Sequence, residues 1–296
     1  MKRQKRILIL GGTGMLGHTL VRYFSAVPDY DVYATARSLV GLEKYFPKEV
    51  LDRFLSDSVD ANYFDSVTRA LAAVQPDIVI NCIGIIKQLP LADDPLSAIS
   101  LNALLPHRIS LISHAAGARM IHISTDCVFD GLKGDYNEED PSNAKDLYGR
   151  SKFLGEVVYD HCITLRTSII GHELKGKLGL VGWFLSQRGE VQGFTNAIYT
   201  GFPTIELASV IHRFVLPNPA LKGLYHVSSS AISKYDLLKL IAQRYGKNIV
   251  IKPVGDFLIN RSLNAERFCK ATGYRAPSWP ELVEKMYRHA CSAGML

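Results

Sequence analysis

The run Arg6-Ile7-Leu8-Ile9-Leu10-Gly11-Gly12-Thr13-Gly14-Met15-Leu16-Gly17 decides the fold. Aliphatic residues end in a glycine-rich turn, and the apolar residues after it, Leu16, Leu20, Val21 and Phe24, recur at helical spacing. That order is strand, glycine loop, helix. Gly11 permits the tight turn, Gly14 lets a pyrophosphate approach the backbone, and Gly17 lets the helix pack closely on the sheet. Thr13, Met15 and Leu16 complete the loop, and the helix start offers its unpaired N–H groups to an anion. The pattern predicts dinucleotide binding, with a purely structural turn as the alternative.

Downstream segments extend the alternation of strand and helix. Residues 31–36 read as a second strand, 53–56 as a third, 78–82 as a fully buried fourth and 163–166 as a sixth, with helical patterns over 39–46, 62–74 and 93–116. Pro106 should kink or split the last of these helices. Arg37 follows the second strand where an NAD-preferring domain usually carries an acid, so a guanidinium there argues for a 2′-phosphate and NADP, or is simply solvated. Asp57 and Val59 are expected near the adenine, and Cys82, Ile83 and Gly84 at the nicotinamide ribose. Ile169 leaves the sixth strand toward the cofactor. Asn102 reads equally as a bridge near the cofactor lysine or as a satisfied core amide, and Lys87 equally as a pyrophosphate or substrate ligand or a solvated lysine.

The fifth strand runs through Met120 to Ile123 and ends at Ser124-Thr125-Asp126; Tyr148 and Lys152 follow, four residues apart on a segment read as helical over 148–159. Its apolar members Phe153, Leu154, Val157 and Val158 recur at helical spacing. A free tyrosine has a pKa of about 10, and bringing it to neutrality takes roughly 4 kcal/mol of preferential stabilisation of the phenolate, which a fixed ammonium can supply. Tyr148 and Lys152 can therefore exchange a proton with a carbonyl or alcohol oxygen that the Thr125 hydroxyl holds. The linker over 129–147 is long enough beside a site to be functional.

Composition bounds the class. The chain has 296 residues, 47% of them hydrophobic, and a formal charge of +6 concentrated in the basic run at Lys2, Arg3, Lys5 and Arg6. A globular protein is expected, binding neither nucleic acid nor membrane. The five cysteines form no C-x-x-C pair and the histidines no ligand spacing, so reduced thiols in a cytoplasmic protein and no metal site are expected. The fold class is α/β, a Rossmann-type doubly wound parallel sheet with a smaller C-terminal substrate-binding lobe. Residues 1–171 would form the NADP-binding domain, with parts of 204–226 returning to it, and 172–203 and 227–296 the lobe. Within the lobe, Arg261 is a candidate diphosphate ligand, and Trp183 and Phe194 are candidate base or sugar platforms.

Together, Gly11, Gly14 and Gly17 and the Tyr148/Lys152 pair resemble the extended branch of the short-chain dehydrogenase/reductase superfamily. Ser124-Thr125-Asp126-Cys127-Val128-Phe129-Asp130-Gly131, Leu147-Tyr148-Gly149-Arg150-Ser151-Lys152, Leu165-Arg166-Thr167-Ser168 and Asn260-Arg261-Ser262-Leu263 are similar to the dTDP-4-dehydrorhamnose reductase family. The resemblance implies an NADPH-dependent reductase, NAD(H) being the alternate cofactor, that converts the 4-keto group of a nucleotide-linked 6-deoxysugar to an alcohol. In it Thr125 would orient the keto oxygen, Tyr148 protonate it, and Lys152 also bond the nicotinamide ribose; Asp126 and Cys127 would line the sugar side. A homodimer is compatible with this reading. The rivals are an NAD-retaining epimerase or dehydratase of the same fold and a non-catalytic NADP-binding regulatory protein.

Overall fold

A computed structural model describes residues 3–55 and 58–296. In chain order the elements are β1 (Lys5–Leu10), α1 (Met15–Ser25), β2 (Tyr30–Ala34), α2 (Lys48–Leu51), α3 (Phe64–Val74), β3 (Ile78–Asn81), α4 (Pro95–Ala98), α5 (Leu105–Ala115), β4 (Arg119–Thr125), α6 (Leu147–Leu154) and β5 (Cys162–Thr167). The chain continues through β6 (Ile169–Ile170), α7 (Leu180–Ser186), β7 (Glu190–Phe194), β8 (Ala197–Tyr199), β9 (Phe202–Pro203), α8 (Thr204–Val210), β10 (Gly223–His226), β11 (Ile232–Ser233), α9 (Lys234–Arg244), β12 (Val250–Val254), β13 (Ile259–Asn260), α10 (Glu266–Thr272) and α11 (Trp279–Ser292). Two compact units emerge: Met1–Ser124, Asp146–Leu165 and Lys222–Leu224 form the first, and Thr125–Lys145, Arg166–Leu221 and Tyr225–Leu296 the second.

The first unit is built on a six-stranded sheet ordered β10-β5-β4-β3-β1-β2. β1 pairs in parallel with β2 on one side and β3 on the other, and β3 pairs in parallel with β4. The strand order therefore reverses between β1 and β3, which opens a ligand crevice at their carboxyl ends. The Rossmann-type α/β fold expected from the glycine turn is observed. Ile7 to Leu10 are fully buried, which is why β1 reads as an unbroken apolar run. Val67, Leu71 and Val74 of α3 and Leu105 and Ile109 of α5 join Leu8, Leu10, Val79 and Met120 in one core. Each such side chain withdrawn from water contributes about 1.5–3 kcal/mol.

Several local expectations change. Of the third strand expected over 53–56, the described residues 53–55 form only an isolated bridge from Phe54 to Ala34, just after α2 ends at Leu51, with Ala34 bonded to Arg53 and Leu55 at 2.8 and 2.9 Å; Ser56 lies outside the described residues. The helix expected over 39–46 is a short 3-10 turn at Leu42–Lys44. The helix expected over 93–116 is helical without a break from Pro95 to Ala115 rather than split at Pro106, and a π-helical segment, Ile99–Leu104, joins α4 to α5. The helix that begins before Tyr148 stops at Leu154. Of the apolar members at helical spacing only Val157 is buried, while Phe153, Leu154 and Val158 are exposed and α6 instead buries Gly149, Ser151 and Lys152. Gly155 explains this: a Cβ there would lie 1.9 Å from the Asn102 carbonyl oxygen, so the helix end presses on the π segment and turns away.

The second unit contains a three-stranded sheet, β11-β8-β13, and the pairs β12-β7 and β6-β9. α11 packs on α8 and α9. Its loop over 129–147 has a core of its own, where Phe129 stacks on Tyr136 at 4.1 Å beside Val128 and Leu263. Among the described residues no helix is long and apolar enough to cross a membrane.

Candidate active site

The glycine turn is fixed from the end of β2. Thr35 accepts from the Gly11 N–H through Oγ1 at 3.1 Å and from the Gly12 N–H through its carbonyl at 2.8 Å. Gly11 has φ +80, a conformation that side chains resist, and a Cβ on Gly17 would fall 2.0 Å from the Gly11 oxygen. The close approach at Gly17 is thus to the loop itself rather than to the sheet, a correction to the role expected for it. Gly14 differs, being exposed, with only Gly11 O at 3.5 Å from its ideal Cβ. It has no side chain to cap α1, and no acid stands in that helix's first turn. Thr13 and Met15 are partly exposed and Leu16 is buried. The N–H groups starting α1 remain for an anion, and these residues fit a dinucleotide pyrophosphate.

Arg37 lies three residues beyond β2, exposed, with no hydrogen bond or ion pair among the described residues, as a cation reserved for a 2′-phosphate would be. Val59 donates its N–H to Ala36 at 2.9 Å and packs its side chain in the core. Asp57 lies outside the described residues.

Lys152 is 6% exposed, and its ammonium donates to the Ile123 carbonyl at 2.9 Å. Burial pushes it down to about 8, against the pull of Glu156. Glu156 accepts from Ser124 Oγ at 2.7 Å, and burial pushes the Cys82 thiol up to about 12, so it stays protonated. A Cβ on Gly84 would sit 3.8 Å from Lys152 Nζ and 3.3 Å from Asn102 Oδ1. Asn102 is fully buried, accepting from the Ile85 N–H at 2.8 Å and donating to the Ile85 carbonyl at 3.3 Å. Its amide clamps the loop after β3, which includes Cys82, Ile83 and Gly84. Tyr148 is half-buried in the first turn of α6. Asp146 caps that helix by accepting from Gly149 N–H at 2.8 Å, and pairs with Lys87 at 2.9 Å. Lys87 is therefore tied to the start of the helix carrying Tyr148.

In the second unit, Thr125 Oγ1 accepts from the Cys127 N–H at 3.1 Å and donates to Asp126 at 3.2 Å. Burial pushes the Asp126 carboxyl up, opposed by the cations Lys234 and Arg261. Arg261 donates from Nε to the Phe129 carbonyl at 2.7 Å and from Nη1 to Cys127 Sγ at 3.7 Å. Thr125, Asp126, Cys127 and Arg261 thus come together across a long stretch of sequence. No hydrogen bond or ring contact brings Trp183 or Phe194 to them: Trp183 is 38% exposed on α7, and Phe194 packs on Phe257 at 5.2 Å. Ile169 pairs with Phe202 between β6 and β9.

Sequence reasoning gave no role to Glu156 or Lys234 and placed Tyr199 only among the polar and aromatic insertions of the lobe. Glu156 was detectable, standing four residues after Lys152, within the range at which opposite charges interact. Lys234 carried one faint signal, a cation where a helix begins.

A family model described as RmlD substrate binding domain matches residues 5–290. The spore coat polysaccharide biosynthesis protein SpsK of Bacillus subtilis (strain 168) is 25% identical over 303 residues, covering 97% of this chain and 99% of the relative. Methionine adenosyltransferase 2 subunit beta of Mus musculus is 25% identical over 314 residues, covering 96% and 90%. The solved structure of dTDP-4-dehydrorhamnose reductase from Bacillus anthracis str. Ames, in complex with NADP, superposes with a TM-score of 0.78 at 21% identity, covering 97% of this chain and 99% of that one.

Proposed function

Because this chain belongs to the RmlD substrate binding domain family, we propose that it is an NADPH-dependent reductase of a nucleotide-diphosphate-linked 4-keto-6-deoxysugar, acting in polysaccharide biosynthesis. The observation that carries this reading is the buried Lys152 ammonium, fixed on the Ile123 carbonyl beside Gly84 and one helical turn from Tyr148. A buried cation without an ion pair is costly, and a structure keeps one where its charge is used.

The first N–H groups of α1 would hold the pyrophosphate and Arg37 the 2′-phosphate. A reduced nicotinamide, when bound, supplies the hydride. Tyr148 gives its phenolic proton to the keto oxygen, and Lys152 stabilises the charge left on the ring oxygen and bonds the ribose. Thr125, whose Oγ1 is already oriented by the Cys127 N–H and Asp126, holds the keto oxygen. Asp126, Cys127 and Arg261 contact the rest of the nucleotide sugar. The B. subtilis SpsK name supports a place in polysaccharide synthesis, and the B. anthracis complex supports NADP, with NAD the alternate.

Screening NADPH oxidation against nucleotide 4-keto-6-deoxysugars tests the reading; turnover of at least one is expected. An epimerase or dehydratase would instead keep NAD through purification and consume none. The subunit beta relative keeps a regulatory role in view, but the retained Thr125, Tyr148 and Lys152 favour catalysis, since binding alone does not require all three. A second copy of the chain is the partner proposed for the apolar side chains exposed at Leu104, Leu111, Phe153 and Leu154.

A further inference from the structure

Lys234 occupies a position that stability does not explain. It is the first residue of α9, whose N-cap Ser233 accepts from the Asp236 N–H at 3.0 Å. A cation there opposes the positive end of the helix dipole. The side chain is partly buried, with Nζ 4.0 Å from the centre of the Tyr199 ring. Tyr199 is a fixed platform, 3% exposed, lying against Trp279 at 5.6 Å and so close to Gly201 that a Cβ there would meet its hydroxyl at 2.1 Å.

Among the described residues Lys234 makes no hydrogen bond and no ion pair, so all three ammonium donors are unspent. Lys247, also partly buried in this unit, shows what a structural lysine does: it donates to the Leu185 and Gln187 carbonyls at 2.8 and 2.7 Å. The groups that attract the Lys234 ammonium are Asp126 and Cys127. Neither forms a hydrogen bond or ion pair with it among the described residues, so the ammonium and the Asp126 carboxylate are close enough to attract and still uncombined. Arg261, by contrast, spends Nε and Nη1 on Phe129 and Cys127.

We propose that Lys234 is a specificity-determining residue which, with Asp126, grips one sugar hydroxyl of the substrate: the ammonium donates to the hydroxyl oxygen and the hydroxyl donates to the carboxylate. A hydroxyl is the group that matches both partners, because it can accept from the ammonium and donate to the carboxylate at once, whereas a phosphate or carboxylate anion has no proton to donate. The Tyr199 face holds the ammonium in place while leaving its donors available. This inference rests on the nucleotide-sugar reading above.

Calorimetric titration of the full chain tests it, using dTDP-glucose and UDP-glucose, each beside its free diphosphate, on the parent, Lys234→Met and Lys234→Arg. Lys234→Met is expected to bind the better sugar nucleotide about tenfold or more weakly, as loss of a charged hydrogen bond implies. The free diphosphate and NADPH should bind within about twofold of the parent, Lys234→Arg should recover part of the loss, and the melting temperature of Lys234→Met should be no lower. Unchanged sugar-nucleotide binding, an equal loss for the free diphosphate, or a lowered melting temperature would overturn the inference while leaving the reductase reading standing. A parent that binds neither sugar nucleotide would remove both.

Discussion

Lys152 and Ile123 are joined by a 2.9 Å hydrogen bond from the ammonium to a backbone carbonyl of β4, two residues before the strand ends at Thr125. The bond ties α6, which carries Tyr148, to β4. It neutralises nothing, so the charge remains available while its position is fixed.

Lys152→Met is expected to lower turnover by about a hundredfold or more, the usual scale of acid–base assistance. The same variant should melt higher at pH 7. Burial holds the folded-state value at about 8, below that of the unfolded lysine at about 10.4. The folded form thus binds fewer protons between those values, and below about pH 8 it bears the cost of a buried charge that methionine lacks. Thermal melts across pH check the sign: the parent should gain stability from this group as pH rises through that window, and the variant should not.

Activity should fall as pH rises through about 8, because Lys152 then loses the proton whose charge supports Tyr148. Glu156 favours the charged form, so Glu156→Gln should move that alkaline limb to lower pH. Profiles of kcat/KM for the two proteins measure the displacement.

Arg37→Ala should raise the KM for NADPH about tenfold while changing that for NADH little, since the guanidinium has no structural partner among the described residues to lose. Equal effects on both cofactors would assign Arg37 to the adenine rather than to the phosphate.

Gly17→Ala places a methyl group 2.0 Å from the Gly11 oxygen, and something must shift. A loss of about 1–3 kcal/mol in stability, with weaker cofactor binding, is expected from chemical denaturation and titration. Gly14→Ala meets only an ordinary 3.5 Å contact and should fold normally, so any loss of cofactor affinity would report the space the ligand needs.

How much of this was legible in the sequence follows from what makes a pattern local. β1 and β4 announce themselves because buried parallel strands are apolar on both faces, and the glycine turn because its constraints lie within a few residues. The end of α6 was hidden, since Gly155 is required by the Asn102 carbonyl, a contact from far along the chain. The same holds for the polar face that α6 buries. In the second unit, Asp126, Cys127 and Arg261 are assembled by loops, and Lys234 is placed by the Tyr199 ring. No period in the sequence encodes such meetings. Asn102 shows the intermediate case: a lone amide in an apolar helix signalled a buried bond but not that its partner was the Ile85 backbone.

The most direct test compares NADPH oxidation by the parent and by Tyr148→Phe with a nucleotide 4-keto-6-deoxysugar that the parent reduces, measuring cofactor affinity in parallel. Near-complete loss of turnover with unchanged NADPH binding is the predicted result. Turnover by Tyr148→Phe at the parent's rate would contradict the account.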